Sequence, residues 1–124
     1  ALKTLEIYER DKVFQHAEKV GDYFQNSMKD ILKEDYVGEV RGIGLIAGIE
    51  LYKDPSNKIP FEEAGKAGKI LSDTCQKNGL IVRPILDTVA LCPPLIISEK
   101  EVDELTDKLK KSLQEAKDEI MKVH

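Results

Sequence analysis

The apolar positions of the 124-residue chain change their period four times. From about residue 12 to residue 33 they fall at Val13, Phe14, Ala17, Val20, Phe24, Met28, Ile31 and Leu32. Steps of three and four make one stripe on a helix, and such a stripe is read as core-facing. A shorter helical stretch over residues 1–9, with Leu2, Leu5 and Ile7, precedes it, and the two break near Arg10-Asp11. The period then shortens in YVGEVRGIGLIAGIELY, which Gly38, Gly42, Gly44 and Gly48 punctuate. Two strands, about 37–42 and 45–52, or one long bent strand, account for it. The glycines there mark bulges or close backbone approaches.

KDPSNKIP is a loop by its Asp-Pro-Ser-Asn cluster. Helical spacing returns over about 61–78, with Ala64, Ala67, Ile70, Leu71 and Cys75 on one side. Asn78-Gly79 ends this helix, the glycine supplying a left-handed cap. Strands are predicted at 80–85 and 88–92, linked tightly through Leu86-Asp87, and Pro93-Pro94 stops the second. Ser98-x-x-Glu101 is a capping box, which satisfies two orphan amide donors. The helix it opens carries Val102, Leu105, Leu109, Leu113, Ala116 and Ile120 as its stripe. Short, mostly hairpin-linked strands between helices predict a single α+β domain: a small, largely antiparallel sheet with helices packed on one face.

Composition narrows the function classes. The chain is 41% hydrophobic and 34% charged, with a net charge of −4 and both signs interspersed. No basic run offers a nucleic-acid surface, and no apolar run approaches the roughly 20 residues of a membrane span. The amphipathic, acidic start is not a signal peptide. It lacks an initiator Met and begins within a helical pattern, so a piece of a longer protein is expected. Cys75 and Cys92 are too few for a disulfide framework and are read as buried free thiols in a reducing cytoplasm. His16 and His124 lie far apart, and no Cys/His cluster has metal-ligand spacing.

Two arginines remain as candidates. Arg83 interrupts the apolar run Leu80-Ile81-Val82, near the end of its predicted strand and before Pro84. One reading is an edge-strand ion pair with a surface acid. The other is a guanidinium aimed at a carboxylate, because its planar fork donates two parallel hydrogen bonds to the two oxygens. Arg41, in EVRGIG, is read as an ion pair or a hydrogen bond to loop carbonyls, or as adjacent to a site. Gly42-x-Gly44 lacks the third glycine and the following helix of a phosphate loop. Composition, periodicity and spacing lead no further than an α+β domain with an anion-binding candidate.

Two stretches add a family. VGEVRGIGLIAGIEL and GLIVRPILDTVALCPPLIISEKEVDEL closely resemble the C-terminal, small domain of class III aminotransferases, fold type I enzymes that use pyridoxal phosphate. The V-R-G-x-G-L-x-x-G-I-E-L pattern spans Val40 to Leu51, and R-P…D-T…L-x-P-P-L-x-I-S spans Arg83 to Ser98. The opening ALKTLEIYERDKVFQHAEKVGDYF also resembles the helix entering that domain, so the likeness covers nearly the whole chain. Within the family the omega-amino-acid:pyruvate branch is most similar.

The resemblance implies that Arg83 binds the carboxylate of an amino-acid or keto-acid substrate, and gives Arg41 a structural role. It implies amino transfer from an omega-amino acid or amine to pyruvate or a similar keto acid, in a cytoplasmic homodimer. The Schiff-base lysine, the aspartate at the pyridine nitrogen and the phosphate-binding loop belong to the family's large domain and are not matched here. No catalytic, cofactor-binding or metal-binding residue is therefore assigned to this chain, no pyridoxal phosphate is expected bound to it, and alone it is expected to be inactive. The family often has glycine where this chain has Leu86. The alternative is a stand-alone, non-catalytic domain that binds small anions or a partner.

Overall fold

The structure, a computed structural model, describes residues 2–10 and 12–124. Ala1, and Asp11 at the predicted break between the first two helices, lie outside them. The elements in chain order are α1 (Leu2–Arg10), α2 (Val13–Lys29), β1 (Val37–Ile43), β2 (Ile46–Leu51), α3 (Lys66–Lys77), β3 (Arg83–Ile85), β4 (Thr88–Leu91) and α4 (Glu99–Met121). A 3-10 turn over Asp30–Lys33 follows α2.

The four strands form one antiparallel sheet in the order β1-β2-β4-β3. Two hairpins thus lie side by side, joined through β2 and β4, with α3 in the connection between them. Alternation along β2 turns Ala47, Ile49 and Leu51 to one face, and β4 adds Val89 and Leu91, all buried. Val20, Phe24 and Met28 of α2, Ala67, Leu71 and Cys75 of α3, and Val102, Leu109, Leu113 and Ile120 of α4 join them in one buried core. Each large side chain buried this way contributes about 1.5–3 kcal/mol over its exposed state. Helix α4 contacts both α2 and α3. All this packing is on one side, so the other face of the sheet has no helix over it among the described residues.

Local signals set the helix ends. Ser98 Oγ accepts from the Glu101 amide while the Glu101 carboxylate accepts from the Ser98 amide, a complete capping box. At the end of α3, Gly79 takes φ +84°. Leu80 N–H then donates to the Cys75 carbonyl (2.8 Å) and Gly79 N–H to that of Gln76 (3.0 Å), the paired bonds of a Schellman cap. At the far end of α4, Lys53 Nζ donates to the carbonyls of Met121 (2.6 Å) and Val123 (2.7 Å), placing a cation at the negative helix terminus. The buried Tyr36 hydroxyl donates to the Leu113 carbonyl at 2.6 Å, and burial pushes its phenol pKa upward.

Several boundaries differ from the sequence expectation. Helix α3 begins at Lys66 rather than near residue 61, because Gly65 sits at φ +88°, which no α-helix accommodates. Ala64 therefore precedes the helix. Strand β3 contains only residues 83–85. Residues 80–82 are taken up by the exit from the Schellman cap, and Ile81 is exposed. Arg83 thus opens its strand instead of standing near its end.

The α2 stripe is also wider than the core. Phe14 and Leu32 are more than half exposed. Leu32 leaves the stripe because the 3-10 turn advances three residues per turn, not 3.6. Leu5 and Ile7 of α1 are exposed too. Cys75 is buried as expected, but Cys92 is exposed, since β4 ends at Leu91 and the Pro-Pro segment has begun. The predicted glycine constraint holds at Gly38. The β1–β2 register shifts there, and a Cβ would stand 1.9 Å from the Tyr52 ring.

Candidate functional site

The helix-free face of the sheet brings the two candidate arginines into one row. Arg41 pairs with Gly48, Gly48 with Ala90, and Ala90 with Arg83. One residue from each strand contributes, and because the pairing is antiparallel all four project to the same side. Two guanidiniums therefore stand at opposite edges of a floor made from glycine and alanine. Three strand spacings of about 4.8 Å put their backbones roughly 14 Å apart. The adjacent row holds Glu39, Glu50, Thr88 and Ile85.

The arginines differ in their partners. Arg41 Nη1 pairs with Glu50 Oε1 at 2.9 Å and with Glu39 Oε2 at 3.4 Å. Tyr52 donates its hydroxyl to Glu50 Oε2 at 2.9 Å. The hydrogen bond from Arg41 is the main reason the Glu50 carboxyl is held below the ordinary carboxylate range. Reciprocally, Glu50 raises the Arg41 pKa through that hydrogen bond and its charge. The Arg41 side chain leans over the bare Gly48, whose absent Cβ would lie 3.9 Å from Arg41 Cγ. Arg41 is thus folded onto its own edge of the sheet.

Arg83 is exposed, and its side chain has neither a hydrogen-bond nor an ion-pair partner among the described residues. Among the described residues no surface acid pairs with it. Small Ala90 beside it leaves the fork room to meet a planar anion edge-on, the arrangement in which guanidinium forms two parallel hydrogen bonds.

One residue of the β3–β4 turn carries an interaction that the sequence reading missed. The Asp87 carboxylate accepts from the Gly65 amide (3.2 Å) and the Gly68 amide (3.1 Å) at the start of α3. Its main-chain carbonyl accepts from Leu51 N–H at the end of β2 (2.9 Å). The sequence places Asp87 in the β3–β4 turn and in the D-T of the family pattern, and neither gives its carboxylate a partner. No local signal could have found its role as a remote helix cap, because the amides it caps lie 22 and 19 residues earlier.

Gly42 lies in β1, paired with Ala47, and Gly44 opens the β1–β2 turn. The carbonyls of Gly44 and of Ile46, at the start of β2, accept from Gln25 Nε2 at 2.8 and 2.9 Å, which ties the turn to α2. The helix-free face, with Glu39, Arg41, Gly48, Glu50, Arg83 and Ala90 among its residues, bears no lysine. These residues do not fit pyridoxal phosphate, and what the face offers chemically is binding. No group of three or more His, Cys, Asp or Glu side chains could hold a metal among the described residues. None of the described helices is long and apolar enough to cross a membrane.

Comparison with known proteins agrees with this architecture. The family model for class III aminotransferases matches residues 1–113. The adenosylmethionine-8-amino-7-oxononanoate aminotransferase of Methanocaldococcus jannaschii is 37% identical over 116 residues, covering 94% of this chain and 25% of that protein. The probable mitochondrial gamma-aminobutyrate transaminase 3 of Oryza sativa subsp. indica is 32% identical over 120 residues, covering 97% and 24%. Among solved structures, a transaminase with L-alanine superposes with a TM-score of 0.91 at 36% identity, covering 96% of this chain and 28% of that one. The omega transaminase of Pseudomonas jessenii in complex with PMP does so with a TM-score of 0.90 at 33% identity, covering 96% and 26%. The chain spans about a quarter of the length of the curated relatives it matches.

Proposed function

This chain belongs to the class III aminotransferase family, and on that premise we propose that it is the C-terminal small domain of a pyridoxal-phosphate-dependent transaminase in which Arg83 binds the substrate carboxylate. The groups that hold the cofactor and carry the amino group belong, in this reading, to a large domain preceding residue 1. The substrates are an omega-amino acid or amine as donor and pyruvate or a similar keto acid as acceptor, and the whole enzyme is a cytoplasmic homodimer. Support for the branch comes from the omega-transaminase structures that superpose on this chain.

The observation that carries the reading is the contrast between the two arginines on one sheet row. Arg41 is committed to Glu50, whereas Arg83 stands exposed with no partner of its own among the described residues. An uncommitted guanidinium on a strand, above an alanine, can take a carboxylate without first breaking an internal ion pair. Its contribution is orientation, since a bidentate clamp holds the substrate in one pose while the chemistry proceeds elsewhere.

The test is the half-reaction of the full-length enzyme with two donors, beta-alanine and a simple arylalkylamine. Removing one partner of a desolvated, hydrogen-bonded charge pair costs about 2–5 kcal/mol, which is about thirtyfold to several thousandfold in kcat/KM. Arg83→Ala should impose that loss on beta-alanine and leave the arylalkylamine nearly unchanged. Equal losses with both donors would show that Arg83 is architecture. Without the large domain, the 124-residue chain mixed with pyridoxal phosphate is expected to show no amino transfer to pyruvate.

A further inference from the structure

Strand β3 is an unpromising mount for a group that must be placed accurately. It is three residues long, lies at the sheet edge and is exposed throughout. It pairs only with β4, and Pro84 contributes no amide to that ladder. Something other than strand pairing has to hold it.

The β3–β4 turn supplies it. Leu86 adopts φ +56°, a left-handed conformation that costs a non-glycine residue free energy and persists only where its surroundings enforce it. The enforcing contacts are on α3. The Leu86 carbonyl comes so close to Gly68 that a Cβ there would lie 2.0 Å from its oxygen. Immediately after it, the two Asp87 carboxylate oxygens receive one amide each, from Gly65 and Gly68. An anion at this position also meets the positive end of the α3 dipole. The Asp87 carbonyl meanwhile receives Leu51 N–H from β2. One residue therefore ties the turn to a helix and to a central strand. Only Pro84, Ile85 and Leu86 separate it from Arg83.

We propose that Asp87 is a positioning residue for Arg83: by locking the β3–β4 turn onto the first turn of α3, it fixes where the guanidinium at the head of β3 points. This rests on the reading of Arg83 as the carboxylate clamp. Asp87 itself touches no substrate. Its carboxylate is already occupied by two amides and acts through the backbone of the hairpin.

The experiment uses Asp87→Asn in the full-length enzyme. Asparagine keeps the volume but presents one acceptor oxygen and one NH2 group to two amide donors, so one of the two bonds is lost. Displacement of the hairpin should raise KM for beta-alanine about tenfold with kcat little changed, and leave the arylalkylamine unaffected. In an Arg83→Ala background the same substitution should leave the ratio of the two donors' kcat/KM unaltered, because the group it positions is gone. Hydrogen exchange on the same variant should show faster exchange at Gly68 and across β3–β4, with β1 unchanged. Equal effects on both donors, or a donor ratio left at the wild-type value while Arg83→Ala lowers it, would overturn the proposal and leave the carboxylate role of Arg83 standing. Unaltered exchange across β3–β4 would overturn it as well. If Arg83→Ala itself spares the donor ratio, the carboxylate reading fails, and the positioning proposal falls with it.

Discussion

The two edges of the sheet present the same residue on the same face in opposite states. At one edge, Arg41 sits within the seven-residue β1, paired along its length with β2, and is held by Glu50, Glu39 and the Gly48 floor. At the other, Arg83 opens the three-residue β3 and stands without a partner among the described residues. A long edge strand with acids in the next row turns an arginine inward onto the sheet. A short strand whose neighbouring row offers Thr88 and Ile85 leaves it outward. Binding capacity follows from what a charged group is not already bonded to, and the residue type alone does not reveal that.

The sharpest test of this contrast exchanges the roles. Arg83→Ala carries the thirtyfold to several-thousandfold loss on carboxylate donors described above. Arg41→Ala, measured with the same two donors, should change both by less than about threefold, because its partner is internal and half-exposed ion pairs contribute little. A large, carboxylate-selective loss from Arg41→Ala would erase the distinction between the edges. Arg83→Lys should recover only part of the activity, since a point charge cannot reproduce two parallel hydrogen bonds.

The next effect is on stability. Gly68→Ala drives a methyl group against the Leu86 carbonyl, 2.0 Å away in the present packing, and should cost about 1–3 kcal/mol in urea unfolding as the β3 hairpin is pushed off α3. An unchanged unfolding midpoint would mean that this edge is already loose. Ser98→Ala acts on α4, behind both edges, and should cost about 1 kcal/mol by removing the cap on the Glu101 amide. It serves as a control, because a loss at the α4 cap should leave the donor preference intact.

The smallest effect belongs to the Arg41 edge and depends on pH. Glu50 has its pKa lowered in the folded chain, chiefly by the Arg41 hydrogen bond. A carboxyl depressed on folding contributes stability above its unfolded pKa and loses it as pH falls through the folded value. The stability difference between wild type and Glu50→Gln should therefore be greatest near neutral pH and disappear in acid. It should stay below about 1 kcal/mol, because solvent screens the half-exposed guanidinium. A difference that grew on acidification would contradict the pairing seen at this edge.

Much of this molecule was legible along the chain because its signals are local. Periods of 3.6 and two separated helices from strands, Ser98 and Glu101 announced α4 within three residues, and Gly79 announced the end of α3. The R-P and V-R-G stretches pointed to the family by their own residues. The elements that were misjudged are those in which a local pattern met a tertiary demand. Helix α3 starts late because Gly65 turns to meet Asp87, and β3 starts late because Leu80 completes the cap of α3.

What the sequence by itself determined is the order and kind of the elements, the single apolar face they share, and the two arginines from which a site had to be chosen. Which of the two is available was decided by the tertiary structure. The register of β1 on β2 places Glu39 beside Glu50, within reach of Arg41, while the register of β3 on β4 places Ala90 and Thr88, on the same face, beside the other edge. The tie between Asp87 and the start of α3 closes over 22 and 19 residues. Partners so far apart in the chain leave no periodic trace, since their spacing is fixed by how the hairpins and helices pack, and a charge or a carboxylate acquires its role only once that packing has chosen its neighbours.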